Sequence, residues 1–99
     1  MKKYQAIPKP PITFEAVQYT TEFDLKSIAD KIKKINDAGR HFVDFCIKDN
    51  VLYAHKKEKY AVGSQYTMPV KLMSFLAFTE DNLMIFEEEE FKEYYEEIK

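Results

Sequence analysis

The chain has 99 residues, of which 45% are apolar, 15% aromatic and 32% charged, with a net charge of −2 at pH 7. That length holds one domain, and the balance is too apolar for a disordered chain and too charged for a membrane-embedded one. A single cysteine, Cys46, excludes an internal disulfide framework and a multi-cysteine zinc site; with no apolar run of about 18 residues and no leader-type segment, a cytoplasmic protein that does not enter a membrane is expected.

Residues 1–11 carry Pro8, Pro10 and Pro11 together with three lysines. Proline fixes φ and favours extended structure before it, so 1–11 reads as an arm and 12–99 as one domain. Residues 12–19 are rich in β-branched and aromatic side chains that alternate, which predicts a strand. Thr20 or Thr21 can cap the next helix, with Glu22 and Asp24 in a first turn where the helix dipole favours negative charge. Leu25, Ile28, Ala29, Ile32 and Ile35 then form one apolar stripe at helical spacing, and Gly39 supplies the stop.

His41 to Lys48 alternates again, Asp49-Asn50 is a tight-turn pair, and 51–55 returns as the partner strand of a hairpin. Residues 56–59 are too charged for a core and read as a loop or exposed strand end. A short strand is expected over 60–64 and a continuation over 66–68, until Pro69 demotes any central strand. Residues 70–78 alternate like a strand, 80–82 form a polar turn, and 83–86 are a short buried run. From Glu87 onward Phe91, Tyr94, Tyr95 and Ile98 recur at helical spacing, predicting a closing amphipathic helix. A competing assignment starts that helix at Thr79 and absorbs 83–86. The expected class is α+β: a small antiparallel sheet of about five strands, packed by one central amphipathic helix and an acidic C-terminal helix.

Few residues point to chemistry. A nucleophilic site needs a base beside a Ser or Cys. His41 and Cys46 lie an odd number of positions apart and project to opposite faces of a strand; His55 reaches Cys46 only through a cross-strand pairing. A buried, inert cysteine is the expectation. Two isolated histidines and one cysteine lack metal-ligand spacing, and Gly39 and Gly63 stand alone rather than clustered as a phosphate loop requires. No cofactor and no enzymatic activity are expected.

Charge is distributed unevenly. Residues 1–78 hold thirteen Lys or Arg against eight Asp or Glu, a net +5, whereas residues 79–99 hold two against nine, a net −7. Glu89, Glu93, Glu96 and Glu97 are therefore candidates for docking a basic protein partner, with a solvated or self-paired surface as the alternative. Lys56, Lys57, Lys59 and Tyr60 are candidates for single-stranded nucleic acid, through phosphate contacts and base stacking. A sequence pI near 5.7 opposes that second use.

The string PITFEAVQYT, residues 11–20, resembles the opening of a family of small uncharacterised proteins encoded by phages and prophages. Members open with a Lys/Pro arm and a strand ending in Glu-Ala, a branched residue, Gln, an aromatic and Thr, and they end in an acidic helix carrying Phe and a further aromatic. The segment FKEYYEE, 91–97, matches that ending. The family's Pro-Gly-Asp turn is replaced here by Val62-Gly63-Ser64, and its aromatic-Pro strand by Leu83–Phe86 without proline. The resemblance supplies context and no catalytic residues; taken with the lack of a catalytic constellation and the one-signed tail, it leads to the expectation of an accessory protein that binds a host or defence protein in a bacterial cytoplasm. Nucleic-acid association and sequestration of a small ligand are the alternatives. Pairing of two copies through an edge strand is open, with Pro69 and the charged hairpin end opposing it.

Overall fold

Among the residues that the computed structural model describes (1–6, 13–58 and 65–98), eight strands form two antiparallel sheets. In chain order the elements are β1 (Lys2–Ala6), β2 (Thr13–Gln18), a 3-10 turn (Leu25–Ile28), α1 (Ala29–Ala38), β3 (His41–Lys48), β4 (Val51–Glu58), β5 (Gln65–Val70), β6 (Phe75–Phe78), β7 (Leu83–Phe86), α2 (Glu88–Tyr94) and β8 (Tyr95–Glu97). The larger sheet runs β7-β6-β2-β1-β8 and the smaller β3-β4-β5. The α+β class and the five-stranded sheet hold; a second sheet is added. The prolines at 8, 10 and 11, Ile12 and the strand expected over 60–64 lie outside the described residues.

The amino-terminal arm is in part a strand. β1 pairs with β2 on one side and β8 on the other, with Tyr4 opposite Phe14 and Glu97. Its anchor is the Tyr4 ring, which meets Phe91 edge-on at 4.9 Å and Phe75 at 5.9 Å. Two lysines at the strand's start conceal this from a sequence pattern.

The central helix begins later than Thr20 or Thr21 suggests. Asp24 is the cap: its Oδ1 accepts the Lys26 N–H at 3.0 Å and opens the 3-10 turn, which α1 continues. Gly39 ends α1 at φ 84, a left-handed value that costs glycine little. Four members of the predicted stripe face the core, with Ile28 and Ile35 fully enclosed and Leu25 and Ile32 packed beside them, whereas Ala29 is exposed.

The hairpin forms as expected, with Asp49 and Asn50 both at positive φ, the geometry of a two-residue turn whose twist matches its strands. β4 continues through the charged stretch to Glu58 because β5 pairs along it. Pro69 sits opposite Tyr53 in β5, an edge strand, where a missing N–H costs no ladder bond. The single strand expected over 70–78 is broken. Residues 71–73 form a corner between the two sheets, closed by Ser74 N–H donating to Lys71 O and turned by Met73 at φ 75.

Residues 83–86 are a strand, not part of a helix, and the closing helix ends at Tyr94. Phe91 and Tyr95 still face one core, because a helical position and the strand position four residues later both turn toward the larger sheet. Two apolar clusters result. One lies between the sheets and α1, built on Ile28, Ile35, Val43, Phe45, Leu52 and Leu76; the other lies under α2, built on Phe14, Phe75 and Phe91. β6, with four buried residues FLAF, contributes to both. The larger sheet is thus covered on both faces, while the smaller sheet keeps one face open.

Candidate functional site

The acidic tail divides into carboxylates that are held and carboxylates that are not. β8 docks on β1 through Lys2 with Glu97 at 3.3 Å and through Gln5 Nε2, which donates to Glu96 Oε1 at 2.9 Å. Glu87 meets Lys71 at 3.1 Å, and Glu88 accepts from Gln18 and Lys92. These two donors, Gln18 foremost, hold the Glu88 carboxyl below the usual range. Glu89, Glu90 and Glu93 are exposed and have no hydrogen-bond or ion-pair partner among the described residues. The four candidate docking residues are therefore divided, with Glu89 and Glu93 on α2 and Glu96 and Glu97 held in β8. Tyr94, 53% exposed, stands beside the free carboxylates on α2.

The lysine cluster does not form one patch. Adjacent residues of a strand point to opposite faces, so Lys56 and Lys57 diverge. Lys56 turns inward: its Nζ donates to the Leu83 carbonyl of β7 at 3.0 Å and ties the smaller sheet to the edge of the larger. Burial pushes that ammonium below the usual lysine range. Lys57 is exposed, and Lys59 and Tyr60 lie outside the described residues.

The open face of the smaller sheet brings Cys46 and His55 together. Cys46 is exposed, not buried. Its Sγ lies 3.3 Å from His55 Nε2, and His55 Nδ1 lies 2.7 Å from Thr67 Oγ1. Each strand supplies one member: Cys46 from β3, His55 from β4 and Thr67 from β5. His55 is directly opposite Thr67, while Cys46 is diagonal to it because it pairs with Tyr53. A diagonal neighbour on one face is within reach of a side chain as long as histidine. Beside this row a cleft of about 540 Å³ is lined by Asn36, His41, Phe42, Asp44, His55 and Lys57. Among the described residues no three His, Cys, Asp or Glu side chains converge as metal ligands would, and no helix is long and apolar enough to cross a membrane.

A second feature went unseen in the sequence. The Asn36 side chain of α1 accepts the Val43 N–H at 2.7 Å and donates to the Val43 carbonyl at 3.1 Å, imitating a neighbouring strand. The next outward N–H, that of Phe45, donates to Asp44 Oδ1 at 2.8 Å. Together they occupy the outer edge of β3. No family model, no curated protein and no solved structure matches this chain.

Proposed function

We propose that this protein acts by binding a basic protein partner through the outward face of α2, as an accessory protein of phage or prophage type directed at a host or defence protein. One observation carries the proposal. Among the described residues Glu89, Glu90 and Glu93 face solvent unpaired, while Glu87, Glu88, Glu96 and Glu97 of the same tail have internal partners. A one-signed surface of this kind steers an oppositely charged partner, and a half-exposed tyrosine beside it is the residue type that anchors interfaces. The resemblance of the first strand and last helix to small phage-encoded proteins supports the same direction.

The test is capture by tagged protein from nuclease-treated lysate, with the Glu89→Lys, Glu93→Lys double variant alongside. Neither side chain has a partner to lose among the described residues, so the variant keeps its circular dichroism spectrum and loses the captured protein. Equal capture by both proteins would contradict the proposal. The cleft beside His55 supports a second use, sequestration of a small polar ligand, because its volume lies in the range of small-molecule sites. That use requires amide shifts at Phe42 and Asp44 when a metabolite extract is added to labelled protein, and unmoved shifts would remove it.

A further inference from the structure

We infer that Cys46 is a base-assisted nucleophilic thiol that exchanges with small, peptide-like disulfides, with His55 as its proton acceptor and Thr67 as the positioning residue for the ring. The inference rests on the open face of the smaller sheet alone and does not depend on what α2 binds.

The three side chains stand in the order that nucleophilic chemistry needs: nucleophile, base, and a group that orients the base. With Nδ1–H donating to Thr67 Oγ1 at 2.7 Å, His55 presents the lone pair of Nε2 to the thiol 3.3 Å away. The rigid register of β4 between β3 and β5 fixes all three without a loop. Cys46 and Thr67 are exposed, so a reactant of ordinary size approaches the sulfur directly.

The geometry also selects the class of reaction. On a sheet face the main-chain N–H groups lie in the plane of the sheet while side chains stand perpendicular to it. Among the described residues a tetrahedral oxyanion formed over Cys46 would find no main-chain donors aimed at it, so acyl transfer lacks the stabilisation it requires. Thiol–disulfide exchange needs none. In that exchange the Cys46 S–H proton passes to His55 Nε2 as sulfur attacks one sulfur of the disulfide. The Cys46–S–S–R bond forms, the old S–S bond breaks, and the departing thiolate takes the proton from His55 to leave as R–SH. Atoms and electrons balance with the disulfide as the only co-reactant. Asp44, which lies directly opposite His55, and Lys57 both line the adjacent cleft and suit a zwitterionic R group. The sequence holds one cysteine, so no second thiol of the chain resolves the product. The mixed disulfide persists until an external thiol removes it, which makes Cys46 a reversible attachment point on the open face.

The experiment measures the rate of mass gain with oxidised glutathione from about pH 6 to about pH 10, a span that brackets the ordinary thiol pKa. Near neutral pH the intact protein reacts at least about tenfold faster than His55→Gln, the low side of general-base contributions. That gap narrows toward the alkaline end of the range, where hydroxide removes the thiol proton without the imidazole. Thr67→Val slows the neutral-pH reaction and Thr67→Ser restores it, although both keep the strand. Parallel pH profiles for the intact protein and His55→Gln would overturn the inference. So would a neutral-pH rate equal to that of the urea-unfolded chain.

Discussion

Phe91 is the residue on which the second cluster turns. It is fully buried, stacks on Phe75 at 4.1 Å with planes 11° apart, and meets Tyr4 edge-on. Replacing it by alanine removes a large buried ring and leaves a void, so Phe91→Ala loses about 3 to 5 kcal/mol, read as a lowered urea midpoint. That is a large share of the roughly 5 to 15 kcal/mol a small domain possesses. Glu15 sets a pH dependence instead. Its Oε1 accepts from Lys31 at 2.7 Å, and this hydrogen bond, ahead of the lysine's charge, holds the carboxyl below the usual range. The folded pKa being the lower one, the stabilisation is fully present above about pH 4.3, the ordinary glutamate value, and is lost as pH falls through the lowered one. Glu15→Gln therefore makes stability less steep in acid than in the intact protein, and urea midpoints taken down through pH 4 and below, about where carboxylates titrate, show it.

At the level of elements, the helix stripe, the Gly39 stop and the β3–β4 hairpin were legible because each is governed by neighbours in sequence. The hairpin carried more than was drawn from it. A two-residue turn at Asp49 and Asn50 pairs Lys48 with Val51, hence Cys46 with Tyr53 and Asp44 with His55, which already places Cys46 and His55 on one face. Thr67 was not legible, because the register of β5 depends on the connection over 59–64. The corner at 71–73 carries no glycine to announce Met73's positive φ, and alternation ran through it. The end of α2 was hidden because Phe91 and Tyr95 satisfy helical spacing while serving different elements. Two substitutions test these local accounts. Asn50→Val places a β-branched residue at φ 63 and costs about 1 to 2 kcal/mol in the urea midpoint. Asn36→Ala strands the Val43 N–H and carbonyl and costs about 1 to 3 kcal/mol in the urea midpoint.

The whole molecule uses its uneven charge in two ways. Lys2, Gln5, Gln18 and Lys71 fold much of the acidic tail back onto the larger sheet, so much of the opposition between the two ends is internal pairing. Its edges are also guarded. Asn36 and Asp44 occupy β3, Pro69 interrupts β5, Lys56 takes the Leu83 carbonyl of β7, and β8 is three residues long. Light scattering is therefore expected to give a monomer, and a concentration-dependent dimer would show that an edge is open to a second copy. The described residues leave the outward side of α2 and one face of the smaller sheet unoccupied. The proposal that the first of these engages a basic protein is tested most directly by nuclease-resistant capture with the intact protein beside the Glu89→Lys, Glu93→Lys variant. A discrete protein retained by the intact chain, released as salt rises and absent from the variant, is the predicted result. Retention of that protein by both chains, or disappearance of all captured material on nuclease treatment, would contradict it.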